Sequence, residues 1–307
     1  MAEETEDAGT SAYKEILYAV DNRVATITLN VPEKRNRLSF LMRREFVNAL
    51  KVAEADDEVT VVLVRGAGPS FCAGYDLSVP RGDDDEEHTD DAPKYYRDHD
   101  ERTAGWIESR HFNSWTDPFA RSCYRDWMTI WELLKPVVVM VHGHCVAGGT
   151  ELMSMCDIAF VADDAVIGYP AMRGMTSPDV PYFPWKLSMA HAKYLQLTGN
   201  SVSGAEAARI GWVAKSFPAD QLEEATLREV GALAQIAPSL LAANKESLNQ
   251  AFELMGMRNH LATAWQWHLL SGTLRPGGDE FARRLHEGGL LAALDWRDGP
   301  FRDAGIP

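Results

Sequence analysis

The chain has 307 residues, 46% of them hydrophobic, which is enough for one large domain or two small ones with a full core. A formal net charge of −15 argues against a nucleic-acid partner, because phosphate binding needs positive patches. The four cysteines (Cys72, Cys123, Cys145, Cys156) show no CxxC pair and no regular spacing, so a reduced, cytoplasmic setting is expected. No apolar run reaches the length of a membrane span, and no membrane partner is expected.

The first residues, MAEETEDAGTSAYKE, are acidic and polar, unlike a signal or transit peptide, and read as a disordered tail over 1–17. Arg23 to Asn30 alternates and is β-branched, which predicts a strand. Val31 to Leu38 is a polar loop carrying Pro32, Lys34, Arg35 and Arg37. Ser39 is placed to cap a helix from about Phe40 to Ala55, with Leu41, Phe46, Val47, Leu50 and Ala53 as its apolar positions. Val59 to Arg65 reads as a buried strand, followed by a turn over Gly66 to Ser70 and then FCAGYDL from Phe71 to Leu77.

From Ser78 to about Asp100 the chain changes character. Ten acids lie between Asp83 and Glu101, and Pro80, Gly82 and Pro93 punctuate the stretch. It reads as a solvated acidic insertion over about 80–105. Trp106 to Trp131 is dense in aromatics, namely Trp106, His111, Phe112, Trp115, Phe119, Tyr124, Trp127 and Trp131. Its later part predicts a helix with Tyr124, Trp127, Met128 and Trp131 on one face, a stripe suited to core or to the wall of an apolar pocket.

Val137 to Val161 is the stretch the rest is organised around. Val137 to Val141 is continuously apolar, the pattern of a strand covered on both faces. Gly148 and Gly149 allow a sharp turn, and a helix starting at either one begins with unpaired N–H groups at the positive end of its dipole. Glu151, three residues after Gly148, shares its helical face. Such a turn suits an anion or oxyanion. Taken alone, the stretch reads better as a packing turn with a solvated glutamate.

Beyond it, Ala165 to Gly168 is a short strand, and Tyr169 to Pro184 is a Pro- and Gly-rich loop of a length often tied to function. Trp185 to Thr198 and Ser203 to Ile210 read as helices, and Gly211 to Phe217 as a last strand. Helices are predicted over Ala219 to Ile236, Leu240 to Met255, about Asn259 to Leu274, and Asp279 to Leu294. The organisation expected is a core over 18–218 and a helical region over 219–307.

Several segments in this order resemble the crotonase, or enoyl-CoA hydratase/isomerase, superfamily. They are RVATITLN with PEKRNRLS, VVLVRGAGPSFCAGYDL, KPVVVMVHGHCVAGGTELMSMCDIAFV, LTGNSVSGAEAARIGWVAKSFP and FARRLHEGGLLAALDWRDGPF. The pair FCAGYDL and VAGGTELMSMCDI is far more specific than either motif alone. The resemblance implies an α/β fold, a spiral of ββα units with a C-terminal helical trimerisation region, assembled as a trimer or a dimer of trimers. It implies an acyl-CoA thioester substrate, with coenzyme A as part of the substrate and no separate cofactor or metal.

The same resemblance implies that two backbone N–H groups hold the thioester oxygen, those of Tyr75 after Gly74 and of Gly148. Removing one such donor typically costs roughly 2.7–4 kcal/mol. Coenzyme A would lie along Arg35 to Leu38 and Ala73 to Leu77, with Arg35 and Arg37 as phosphate contacts and Leu38, Ala73, Asp76 and Leu77 along the same path. Arg35 and Arg37 also read as an ordinary solvated basic loop, and Asp76 as a residue that fixes its own turn.

Hydratases of this family use two glutamates to hold one water. Glu151 matches the first, but the second position is Ala171. Asp179, eight residues on, matches a catalytic aspartate of some family members, or else bonds its own turn. The expected activity is hydration of a 2-enoyl-CoA through an oxyanion-stabilised enolate, with double-bond isomerisation by Glu151, with or without Asp179, as the alternative. Hydrolysis or dehalogenation with Asp179 as nucleophile, and non-catalytic acyl-CoA binding, stand behind these. His142 and His144 are read as packing residues, and Asp157 as a local cap.

Overall fold

The computed structural model describes residues 13–77, 118–273 and 280–306. The acidic insertion and the rings of Trp106, His111, Phe112, Trp115 and Phe119 lie outside the described residues, as does the tail before residue 13.

Six strands form the main sheet: β1 (Ile16–Asp21), β2 (Val24–Leu29), β3 (Val61–Gly66), β4 (Val137–Val141), β6 (Ile158–Ala162) and β9 (Lys215–Phe217), in the order β1-β2-β3-β4-β6-β9. Only β1 runs antiparallel to its neighbour; every other pairing is parallel. All five residues of β4 are buried, as its unbroken apolar run requires of a central parallel strand. A second sheet joins β5 (His144–Val146), β7 (Val166–Gly168) and β8 (Ser201–Ser203), with β7 in the middle.

The helices are α1 (Phe40–Ala55), α2 (Pro118–Glu132), α3 (Gly148–Met155), α4 (Phe183–Lys186), α5 (Met189–Thr198), α6 (Gly204–Arg209), α7 (Leu222–Leu233), α8 (Pro238–Leu254), α9 (Met257–Thr273) and α10 (Glu280–Asp303). α1 spans the residues its apolar period predicts, and Ser39 Oγ accepts the Met42 N–H at 3.0 Å as its cap. α2 places Cys123, Trp127 and Ile130 in the core. No helix among the described residues is long and apolar enough to cross a membrane.

Several expectations are corrected. Ile16 and Leu17, placed in the tail by composition, begin β1, because Ile16 is apolar and pairs with Leu29. The chain is anchored just before it: the Lys14 and Glu15 N–H groups both donate to the Glu45 carboxylate at 2.8 Å. The single helix expected over Trp185 to Thr198 is two, because Leu187 is extended and Ser188 caps a fresh start at Met189. The last strand is only Lys215–Phe217, since Gly211 to Ala214 form turns. α10 runs past Leu294 to Asp303 and kinks at Gly289, whose φ is 77°.

Asp157 is no local cap. Its Oδ2 accepts the Val137 N–H at 2.7 Å and the Lys245 ammonium at 2.8 Å. Lys245 also donates to the Ile130 and Lys135 carbonyls. One ion pair, its lysine buried and its carboxylate half-buried, thereby ties the start of β4 to α8, joining the helical region to the sheet that positions the glycine turn.

Candidate active site

The segment 71–77 and the turn before α3 lie side by side. The Cys72 N–H donates to the His144 carbonyl at 2.9 Å, and the Val146 N–H returns to the Cys72 carbonyl at 3.1 Å. Gly74 has a φ of 93°, and a Cβ there would stand 2.9 Å from the Ala147 Cβ and 3.3 Å from the Gly148 nitrogen. A side chain at 74 would therefore push the two turns apart. On its other edge the segment pairs with Leu38, whose N–H donates to the Gly74 carbonyl (2.8 Å) and whose carbonyl accepts the Asp76 N–H (3.2 Å). Neighbouring amides of extended backbone face opposite edges, so the Tyr75 N–H points away from Leu38.

α3 starts at Gly148, one of the two positions its glycines allow. Ala147 before it takes φ 50° and ψ −123°, a strained conformation for a residue with a Cβ. The Ala147 carbonyl is held there by the Thr150 N–H and by Thr150 Oγ1, and Thr150 in turn accepts the Tyr182 hydroxyl at 2.6 Å. As the first residue of the helix, Gly148 carries an N–H with no acceptor inside α3. The donors at Tyr75 and Gly148 thus come from adjacent turns, next to the positive end of a short buried helix.

Glu151 lies one turn into α3 and is fully buried (0% exposed). Its Oε2 accepts the Tyr75 hydroxyl at 2.5 Å, and its Oε1 accepts the Asp179 N–H at 2.9 Å. Burial pushes its carboxyl up to about 8, and the negative charge of Asp179 adds to this. The Tyr75 hydroxyl and the Val180 and Asp179 N–H groups pull in the opposite direction. Asp179 is itself 1% exposed. The long loop after β7 therefore brings the Asp179 backbone to Glu151. Ala171 sits buried in a 3-10 turn, Pro170–Arg173, where its carbonyl accepts the Met175 and Thr176 N–H groups.

The stretch expected to carry coenzyme A is also assembled. The Ala73 N–H donates to the Arg35 carbonyl at 2.9 Å, so Arg35 to Leu38 and Ala73 to Leu77 run together. Arg35 is exposed, and its backbone is left-handed (φ 51°). Arg37 is engaged inside the loop: its Nε lies 2.6 Å from Asp76 Oδ2, and its Nη1 lies 3.2 Å from Glu15. Asp76 therefore pairs across the ladder and does not serve its own turn alone. His142 bonds the Gly68 carbonyl and His144 faces Ser70 Oγ, and no cluster of metal-ligating side chains occurs among the described residues.

Sequence reasoning missed the side chains behind the site. Tyr75 enters it through its phenol as well as its backbone, and its oxygen accepts the Trp127 indole N–H at 2.8 Å. Its ring lies against Gly148, where an added Cβ would meet ring carbons at 2.6–2.8 Å. Arg43 stands 5.5 Å from the ring centroid, and its Nε donates to Asp126 at 2.8 Å. The only signal available was the bulky Tyr75 after Gly74 and the aromatic stripe containing Trp127. Nothing local links Arg43 to Asp126, which is 83 residues away.

With this geometry in place, the likeness to known proteins is informative. The family model described as enoyl-CoA hydratase/isomerase matches residues 19–101 and 109–269. EchA13 of Mycobacterium tuberculosis, named as an enoyl-CoA hydratase, is 33% identical over 286 residues, covering 91% of this chain and 86% of that protein. Hydroxycinnamoyl-CoA hydratase-lyase of Pseudomonas fluorescens is 27% identical, covering 80% of this chain and 82% of its own length. A crystal structure of an enoyl-CoA hydratase/isomerase from Xanthobacter autotrophicus Py2 superposes with a TM-score of 0.77 at 32% identity, covering 94% of this chain and 99% of that one. An enoyl-CoA hydratase from Mycobacterium smegmatis gives a TM-score of 0.78 at 29% identity, covering 94% of both chains. This chain belongs to the enoyl-CoA hydratase/isomerase family.

Proposed function

We propose that the protein is an enzyme that adds water across the double bond of a 2-enoyl-CoA thioester. The observation that carries this reading is the placement of Glu151 one helical turn beyond Gly148, beside the Tyr75 strand. The thioester oxygen would accept the Tyr75 and Gly148 N–H groups. Glu151 would take a proton from water as its oxygen bonds C3, and the electron pair of the C2–C3 bond would pass to the thioester oxygen as an enolate. Protonation at C2 completes the addition. A carboxyl with a pKa of about 8 is poised to accept that proton and to give it back. Asp179, brought to Glu151 by its loop, is the second acid of this reading.

Isomerisation of an enoyl-CoA is the second reading, and Ala171 favours it. Moving one proton between C2 and C4 needs one carboxyl beside the oxyanion site, and the second hydratase glutamate is absent here. A panel of 2-enoyl-CoA, 3-enoyl-CoA and aromatic 2-enoyl-CoA substrates on purified protein tests both readings. Hydration requires formation of a 3-hydroxyacyl-CoA from the 2-enoyl substrates; 3-enoyl turnover without hydration supports isomerisation. The aromatic substrate is included because the bulk of Tyr75 and the rings of α2 suit a larger acyl group, and because the similar Pseudomonas enzyme is named for a hydroxycinnamoyl-CoA.

The reading extends to assembly. Exposed Leu240, Leu248 and Leu254 on α8 offer an apolar surface for the trimer or dimer of trimers that the family resemblance implies.

A further inference from the structure

Glu151 has no carboxylate at position 171 to share its work, yet both of its oxygens are held. The Asp179 N–H donates to Oε1 and the Tyr75 hydroxyl to Oε2. The phenol is itself constrained. A tyrosine hydroxyl has one proton, and the Trp127 indole N–H donates into its oxygen at 2.8 Å. The phenol proton is directed at Glu151, whose Oε2 lies 2.5 Å from the hydroxyl. The ring lies against Gly148 on one side, and Arg43, tied to Asp126 and Ser122, stands 5.5 Å from its centroid. Two helices, α2 and α3, meet this hydroxyl through Trp127 and Glu151, and α1 places Arg43 over its ring.

We propose that the Tyr75 hydroxyl, oriented by Trp127, is a positioning residue for Glu151, fixing its Oε2 where a second carboxylate would otherwise orient the catalytic groups. The proposal rests on Glu151 being the acid–base group of the proposed function. A donor does something that a second carboxylate cannot, because its hydrogen bond favours the ionised form of Glu151. It therefore opposes burial and the charge of Asp179, and keeps a fraction of Glu151 available as base near neutral pH.

The other groups facing this carboxyl do not carry the effect. Tyr169 and Tyr182 from the segments after β7, and Cys123 from α2, are held well above their ordinary pKa by burial, so they stay neutral. The Tyr75 phenol is likewise raised by burial and remains a donor. Arg43 is charged and paired with Asp126. Asp179 is the charged group that raises Glu151, and the Asp179→Asn variant removes that charge while keeping the backbone N–H groups of Asp179 and Val180 in place.

The test compares the full chain with Tyr75→Phe, Trp127→Phe and the double variant, each in wild-type and Asp179→Asn backgrounds. Phenylalanine keeps the ring against Gly148 and removes only the hydroxyl. The first readout is the titration of the Glu151 carboxyl in substrate-free protein, by carbon NMR of labelled glutamate, with Glu151→Gln assigning the signal. The second is the acid limb of kcat for 2-enoyl-CoA. Tyr75→Phe is expected to raise the Glu151 midpoint by roughly one to two pH units and to move the acid limb with it. Trp127→Phe is expected to shift both in the same direction by less, and the double variant to match Tyr75→Phe alone, because the indole acts through the phenol. An unchanged midpoint in Tyr75→Phe, or additive shifts in the double variant, overturns the proposal. A wild-type chain that turns over no acyl-CoA overturns the proposed function instead, and the substrate-free titration still decides the Tyr75–Glu151 link.

Discussion

The backbone N–H of Asp179 donates to Glu151 Oε1 at 2.9 Å, so the acid of the long loop is tied to the acid of α3 by its own main chain. Asp179→Asn keeps that hydrogen bond and removes a negative charge that raises Glu151. The acid limb of the pH–rate profile should move to lower pH, and kcat at its plateau should fall by about a hundredfold, as expected of the second acid, but by less than in Glu151→Gln. A loss as large as that of Glu151→Gln would make Asp179 the principal acid–base residue.

Burial of Glu151 also sets a stability slope. Its folded pKa of about 8 lies above the ordinary glutamate value, so the folded state binds more protons between these two values. The contribution is fully present below the unfolded pKa, about 4.3, and is lost as pH rises through about 8. Glu151→Gln should flatten the fall in thermal midpoint over this window and stabilise the chain by roughly 0.5–2 kcal/mol above it. A wild-type and variant pair with parallel melting curves from pH 5 to roughly 9 would contradict the buried, raised carboxyl.

Gly148 is held to glycine by the ring of Tyr75. In Gly148→Ala, the new Cβ would meet the ring at 2.6–2.8 Å, and either the ring or the turn must shift. Overpacking of this kind costs roughly 1–3 kcal/mol, and activity should fall about a hundredfold as the oxyanion donor moves. In a Tyr75→Ala background, which removes the ring, Gly148→Ala should cost much less stability than in the wild type, while activity stays low. If Gly148→Ala costs as much in that background as in the wild type, the ring is not what excludes a side chain there.

The Asp157–Lys245 pair makes a separate structural prediction. Lys245→Met leaves the half-buried Asp157 carboxylate without its cation and should cost roughly 1–3 kcal/mol, read from urea unfolding. Asp157→Asn in the same chain should recover part of this. Equal stability of Lys245→Met and wild type would show that α8 does not need the pair to dock.

Much of this site was legible because it is built from short, local chemistry. The β4 run, the paired glycines and Glu151 three residues on together predict a strand, a turn and a helix face, and α3 begins where they allow. Ser39 and the apolar period of α1 gave that helix from cap to end. The long-range pairs were not legible. Asp157 was read as local, yet its cation lies 88 residues away on α8, and no spacing rule reaches that far. Arg37 and Asp76 each looked solvated or self-contained until the Leu38–Tyr75 ladder set them face to face. The role of the Tyr75 phenol does not show in the sequence, because its partners Trp127 and Glu151 meet it through tertiary packing alone.

The central claim is that Glu151, beside the Tyr75 and Gly148 donors, is the base that adds water to an enoyl thioester. The direct measurement is the rate of 3-hydroxyacyl-CoA formation from crotonyl-CoA and an aromatic 2-enoyl-CoA by wild type and Glu151→Gln. Wild type is expected to hydrate at least one substrate measurably, and the variant to lose roughly 10²–10⁴-fold in kcat with the melting temperature no lower. Equal turnover by the two proteins would contradict the claim.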